Sequence, residues 1–324
     1  MPRTTIAAAL RTVGLGVALA VCAASAAACP PERVLSVVVP YSAGGSLDAT
    51  TRVVAEAVAK RLGRPLQVRN VPGASGLIGA REVASAAADG CTILSGTVNT
   101  MVLIPLLDPH ARFAPSDFVP VAKIGSTALV LLAGPQVGAL RLADLHRDET
   151  LLGRTLAVGH PGNDTLQAFA IDSMEQALGM RFIHVPYSGS APLIGDLIGG
   201  RLDLAVVATP VARQLLKLHR VRQVVELDTV AGVAAESWNG WFVPAHTTDA
   251  ELAPLRRALV AALGDKTVVA QLRSAGVEPT APALAASVLT REIAADTTRY
   301  SHSLASRVDQ EEAPAAPTKR AHRP

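Results

Sequence analysis

The chain has 324 residues, of which 49% are hydrophobic, 18% charged and 3% aromatic, with a formal net charge of +3. A balance this close to neutral, with Lys and Arg dispersed, lacks the basic stripe of a nucleic-acid binder, and so few rings cannot build a base-stacking platform. No Cys-x-x-Cys or His-Glu-x-x-His occurs and the histidines are scattered singly, so no metal motif and no cofactor is implied.

Met1, Pro2 and Arg3 open the chain, and Arg11 is the last charge before an apolar run over 12–28 that ends at Cys29, Pro30, Pro31 and Glu32. This reads as a secretory signal peptide over 1–28, the run being short for a membrane span of about 20 residues with anchoring flanks. The mature protein is therefore expected in the periplasm. Cleavage within Ala26-Ala27-Ala28 makes Cys29 the first mature residue and opens it to lipid modification, although Ala26 stands where a lipoprotein signal usually has Leu. Losing the leader removes Cys22, Arg3 and Arg11, which leaves a charge of +1 and two cysteines, Cys29 and Cys91. In an oxidising compartment these can form one disulfide, but the sequence does not show whether their geometry allows it.

About 295 residues remain, enough for two domains of ordinary size. A continuous apolar strand is predicted at 35–39, ending at Pro40; the loop Tyr41, Ser42, Ala43, Gly44, Gly45, Ser46, Leu47, Asp48 then leads into a helix over 49–62. Strand 66–68, helix 79–88, the turn Asp89-Gly90 and strand 91–94 follow, ending at Ser95-Gly96-Thr97. The alternation resumes with strand 155–158, the loop 159–165, a helix to 178, strand 182–185, the loop 186–192, helix 193–198 and strand 204–207. Buried apolar strands alternating with helices make parallel sheets covered on both faces.

The predicted fold class is accordingly α/β, with two lobes of the periplasmic-binding-protein (Venus flytrap) kind, each a doubly wound, mainly parallel sheet. A double crossover over 119–132 and 238–243 joins them. Lobe 1 is expected to comprise 30–126 plus 236–305, and lobe 2 127–235. Helices over 251–262, 266–275 and 284–303 are expected to pack back on lobe 1, and 306–324, with its Pro and mixed charges, to be disordered.

Ligands of open α/β sheets bind beyond the carboxyl ends of the strands, where each lobe places a Gly-rich loop. In the first, Tyr41, Ser42, Ala43, Gly44, Gly45 and Ser46 precede a helix whose amino end offers backbone N–H groups and positive dipole, a natural seat for an anion. Asp48 fits the N-cap of that helix, a role that alone would explain it. In the second, Pro161, Gly162, Asn163, Asp164 and Thr165 take the equivalent place, so that the pair can grip both ends of a dicarboxylate. Thr97, Asn99 and Thr100 either hydrogen-bond a carboxylate or cap the next helix, and Tyr187 and Ser188 either form a lid contact or belong to the core. The glycine series Gly73, Gly76, Gly79 misses the dinucleotide fingerprint and reads as close backbone packing. No Walker lysine and no Gly-x-Ser-x-Gly elbow occurs.

Several motifs in order carry a resemblance: Val38-Val39-Pro40-Tyr41-Ser42-Ala43-Gly44-Gly45-Ser46-Leu47-Asp48, Asn70-Val71-Pro72-Gly73-Ala74-Ser75-Gly76-Leu77-Ile78-Gly79, Ala88-Asp89-Gly90, His184-Val185-Pro186-Tyr187-Ser188-Gly189-Ser190-Ala191-Pro192 and Trp238-Asn239-Gly240-Trp241-Phe242-Val243-Pro244-Ala245. From about Val34 to Ser303 the chain resembles the Bug, or tripartite tricarboxylate transporter, receptors. The resemblance implies a monomeric, non-enzymatic binding protein whose loops at Tyr41–Asp48 and Pro161–Thr165 clasp a small carboxylate through main-chain groups and ordered water. Its implied partners are the permease subunits of such a transporter or, as the rival reading, a sensor kinase. A remoter rival is a periplasmic enzyme using Asp48 or Asp164 as base. Cys91 where relatives carry an aromatic, Val207 near a usual acidic residue, Ala168 near a usual His, and a short 224–235 segment depart from the pattern and bear on ligand choice.

Overall fold

In the computed structural model the described residues are 29–311, apart from 140, 164, 188, 231–234 and 283–284. The expected leader, the candidate residues Asp164 and Ser188, and the tail beyond 311 lie outside them.

Three parallel strands open the structure: β1 (Leu35–Val39), β2 (Leu66–Asn70) and β3 (Thr92–Thr97), with β1 between the other two. Val37, Val38 and Val39 are wholly buried, which is why this strand reads as unbroken β-branched sequence instead of an alternation. The helices α1 (Ser46–Leu62) and α2 (Leu77–Ala84) make the crossovers between them. β4 (Phe118–Ala133) comes next, followed by a second parallel set, β5 (Ala157–His160), β6 (Ile183–Pro186) and β7 (Leu204–Ala208), with β5 central. Their crossovers are α5 (Leu166–Leu178) and α6 (Ser190–Ile198), after the short helices α3 (Ile104–Leu107) and α4 (Leu145–Leu152). After β7 come α7 (Thr209–Leu216), β8 (Arg222–Glu226) and β9 (Glu236–Pro244).

The strand order is β2-β1-β3-β9-β4-β7-β5-β6, with β8 and the two-residue β10 (Glu278–Pro279) also pairing with β4. β4 is shared. Its first part, Phe118 to Ala128, lies antiparallel to β9, and its last residues, Leu129 to Ala133, lie antiparallel to β7 and β8. The crossover expected over 119–132 is thus a single strand common to both sheets. The two registers in which β4 slips against β9, at Pro120/Ala122 and Lys123/Gly125, bend it between them.

Three helices close the chain: α8 (Asp249–Leu263), α9 (Lys266–Ser274) and α10 (Ala285–Glu311). Thr248 and Glu251 form a reciprocal capping box at the start of α8. α8 packs its Leu252, Leu255 and Leu259 with Val54, Val58, Ile93 and Trp241 in a core beneath the first sheet. α10 departs from expectation. It joins the first half through Lys123 Nζ–Glu292 Oε1 at 2.5 Å and Trp238 Nε1–Asp296 Oδ2 at 2.8 Å, yet Tyr300 also stacks edge-on against Phe169 of α5, centroids 5.6 Å apart. The helix therefore spans both halves. It also runs on to Glu311, so 306–311 are helical where disorder was expected: no Gly or Pro interrupts 285–311. Sequence reading also missed α4, α7 and β8, each short and only partly apolar, although Pro210 at the start of α7 is a helix-start signal.

Cys29 and Cys91 are joined in a disulfide with Cα atoms 4.8 Å apart, within the span such bonds allow. Leu35, Leu62 and Leu66 pack around the two sulfurs. No described helix is long and apolar enough to cross a membrane.

Candidate functional site

Because β1, β2 and β3 run parallel, the loops after Val39, Asn70 and Thr97 gather at one edge of the first sheet; those after His160 and Pro186 do so on the second. Contacts of the chain with itself show that these edges face each other. Asn99 Oδ1 accepts the backbone N–H of Leu166 at 3.0 Å, and a Cβ built on Gly162 would lie 3.1 Å from Ser75 Oγ.

Tyr41 anchors the first loop. Its hydroxyl lies 3.4 Å from Thr97 Oγ1, and its carbonyl accepts from Asn70 Nδ2 at 3.0 Å. Burial pushes the phenol's pKa up, with Thr97 and Asn99 opposing the shift, so at neutral pH the group is a neutral donor. Gly76, at φ +107°, leaves room for this ring: a Cβ there would stand 2.8 Å from Thr100 Cγ2 and 3.2 Å from the Tyr41 oxygen. Gly79 likewise has no room for a side chain, since its Cβ would meet Pro40 and the Val71 carbonyl at 2.9 Å. The glycine series is thus close packing.

Ser42, Ala43 and Gly44 are exposed, and Gly45 stands at the N-cap of α1, where it has no side chain to cap the first amides of the helix. Those N–H groups are left for an acceptor. Ser46 is already helical, so Asp48 falls inside the first turn and is not the N-cap. Its buried carboxylate accepts from Gly44 N (2.9 Å), Arg52 Nε (3.0 Å) and Asn70 Nδ2 (3.0 Å). Burial alone would raise its pKa, but Arg52, Gly44 and Asn70 together hold it below the ordinary value. A carboxylate with donors on both oxygens and a depressed pKa is a poor base; Asp48 shapes the loop.

Stability drawn from a depressed carboxyl pKa is present above the unfolded-state value of about 4 and lost as pH falls through the lower folded one. We therefore expect Asp48→Asn to be less stable than the parent at neutral pH, with the gap closing below about pH 4. Unfolding midpoints of both proteins across this range test it; a gap independent of pH would assign Asp48 no electrostatic role.

The Thr97 N–H donates to Thr100 Oγ1 at 2.9 Å, and that hydroxyl donates back to the Thr97 carbonyl at 3.1 Å. Thr100 is wholly buried, so it braces the loop and leaves the cleft to Thr97, Asn99 and Tyr41. Across the cleft, Thr165 is the N-cap of α5 and accepts from Ala168 N; it also donates to the Gly162 carbonyl at 2.6 Å. His160 Nδ1 meets the same carbonyl at 2.9 Å. Pro161 is half-buried and Asn163 exposed on the rim. Tyr187 is drawn away from the cleft: its hydroxyl donates to Asp196 Oδ2 at 2.9 Å and its ring lies against Gly159. Burial first, then Asp196, raises its pKa. Ser75, Gly76 and His160 were not singled out as site residues, and only the packing of the two edges shows their place.

Two α/β halves whose strand-end loops oppose each other across a cleft define a two-lobed solute-binding receptor. The chain belongs to the tripartite tricarboxylate transporter family receptors, whose family profile matches residues 50–307. Such receptors are binding proteins and not enzymes. BugT of Bordetella pertussis is 29% identical over 297 residues, covering 83% of this chain and 89% of BugT. Among solved structures, MatC (Rpa3494) from Rhodopseudomonas palustris with bound malate is 27% identical, with a TM-score of 0.76 over 84% of this chain and 98% of that one. Rpa4515 of R. palustris with adipate is 26% identical, with a TM-score of 0.77 over 84% and 96%.

Proposed function

We propose that this chain is an exported periplasmic receptor that closes around a small carboxylate and delivers it to the permease subunits of a tripartite tricarboxylate transporter. Residues 30–126 with 236–305 act as one lobe and 127–235 as the other, moving about β4. The observation that carries the reading is the Asn99–Leu166 bond, in which a carbonyl oxygen of one half already sits on the first amide of α5 in the other. A ligand carboxylate oxygen is a stronger acceptor for that amide, and the uncapped first turn of α1 offers a second set of N–H groups. The related structures with malate and adipate support a dicarboxylate. Tyr41, Thr97, Asn99 and the Gly44–Ser46 amides are the proposed contacts on one side, and Gly162 to Thr165 on the other.

Thermal unfolding of the mature chain against mono-, di- and tricarboxylates, amino acids and neutral sugars tests this. A ligand at a hundred times its Kd adds about 2.7 kcal/mol to the folded form, enough for a clear shift in midpoint. A rise with one or more carboxylates is expected. A response only to neutral or cationic compounds would remove the anion-cradle reading.

A further inference from the structure

α5 packs on β5 and β7 and reaches β6 through Asp172 and Glu175, and these two residues and His184 take no part in the cleft. Val158 pairs with His184 and His160 with Pro186, so the two histidines are diagonal neighbours on the same side of the strands. Their rings meet edge-to-face with centroids 5.7 Å apart. From α5, Asp172 and Glu175 are spaced i, i+3 and so project from one helical face. His184 Nε2 lies 3.7 Å from Asp172 Oδ1 and 3.5 Å from Glu175 Oε1, and a ligand atom of each residue lies within 4.8 Å of the other two.

These separations are close to those of a metal-binding tetrahedron. With metal–N and metal–O bonds near 2.1 Å, its ligand atoms stand about 3.4 Å apart. Glu175 is further prepared. Its Oε1 accepts the Phe182 N–H at 2.6 Å, which fixes the carboxylate while leaving a lone pair free. Arg181, on the other oxygen, is 87% exposed and free to swing away.

His160 provides the independent sign. It is wholly buried, its Nδ1 faces the Gly162 carbonyl and must therefore carry the proton, and its Nε2 has no partner among the described residues. A buried imidazole whose outer N–H is tied to a carbonyl and whose second nitrogen is a bare lone pair is the form in which histidine binds metals. Nothing else among the described residues accounts for that orphan acceptor, which costs free energy if left unmatched.

We propose that Asp172, Glu175 and His184 bind a divalent transition metal of the zinc class, with His160 drawn in as the fourth ligand. Two imidazoles select against calcium and magnesium, which take oxygen ligands. Asp172, Glu175 and His184 stand apart from the carboxylate cleft, and His160, bonded to the Gly162 carbonyl, adjoins it. The site clamps α5 to the strands beneath it, next to the loop that begins at Pro161.

The test is zinc titration by calorimetry on the full mature chain, free of any histidine tag and stripped with a chelator, with cobalt(II) absorption as the readout of coordination. One zinc per chain and the visible bands of a four-coordinate cobalt site are expected. His184→Gln should weaken zinc binding at least a hundredfold and His160→Gln at least tenfold, with circular dichroism unchanged and calcium without effect on either parent or variant. Absence of stoichiometric zinc binding by the parent, or zinc affinity unchanged in His184→Gln, would overturn the proposal. Carboxylate binding, measured separately on the chelator-treated protein, reads the cleft alone, so failure of one site is distinguishable from failure of the other.

Discussion

Gly162→Val is expected to weaken carboxylate binding at least a hundredfold, about 2.7 kcal/mol, while each half keeps its fold. Gly162 has φ +143°, a conformation that L side chains avoid, and its Cβ would come within 3.1 Å of Ser75 Oγ on the opposing edge and 3.4 Å of Thr165 Cγ2. The residue stands where the halves meet. A branched side chain there both strains the loop, by on the order of 1–3 kcal/mol, and wedges the cleft open. The carbonyl of Gly162 also receives the Thr165 hydroxyl and the His160 ring, so a shift of this residue displaces the amides at the start of α5. Calorimetric titration with a carboxylate that raises the midpoint of the parent measures the loss. The pair Gly162→Ala with Ser75→Gly relieves the clash across the cleft but not the backbone strain, and should recover part of the affinity. Unchanged affinity in Gly162→Val would mean that binding does not require the two edges to approach.

Breaking the Cys29–Cys91 bond should cost about 4 kcal/mol of stability by the chain-entropy argument, because the bond closes a loop across a sequence separation of 62 residues. That loop holds β1, α1, β2 and α2, and the first three of these contribute Val37, Val54 and Val68 to the core beneath the first sheet. Ser36 N–H donates to the Cys91 carbonyl at 2.9 Å and Arg64 Nη1 to the Cys29 carbonyl at 2.6 Å, so the ends it joins are held in place by other contacts too. Cys91→Ser, compared with the parent in denaturant with and without reductant, measures the effect: the parent should fall to the level of the variant only when reduced. Equal stability in all samples would mean that the bond adds nothing to folding. The bond also bears on the lipid modification weighed for Cys29. A Cys29 bonded to Cys91 has no thiol to carry a lipid thioether, so the intact mass of the mature chain should show two hydrogens lost and no acyl mass.

The first strand was legible because Val37, Val38 and Val39 are buried on both faces and therefore uninterrupted in sequence. The glycines at 76 and 79 announced close packing for a physical reason that the structure bears out, namely that a Cβ at either would meet neighbouring atoms under 3.0 Å away. Asp48 was placed at the cap, and its true position three residues into α1 follows from Ser46 and Leu47 turning helical at once. Such one-turn errors are common where a polar residue can satisfy amides from either side. The cleft was less visible. Asn99 and Leu166 are 67 residues apart, and their bond exists only because two sheets face each other. The Asp172, Glu175, His184 grouping escaped any motif for the same reason: half of it is helical spacing, and the other half is the docking of α5 on β6.

The position of β9 sets an order of events during folding. β3 and β4 follow one another in the chain, yet in the sheet they are separated by β9, which ends at Pro244. Until that segment is available, the facing edges of β3 and β4 remain unpaired ladders, and the first sheet cannot close on its core. Completion must therefore wait for pairing across more than a hundred residues, a slow step by the relation between sequence separation and folding rate. The first sheet is thus finished last, by a strand that follows the whole of the second parallel set in the chain.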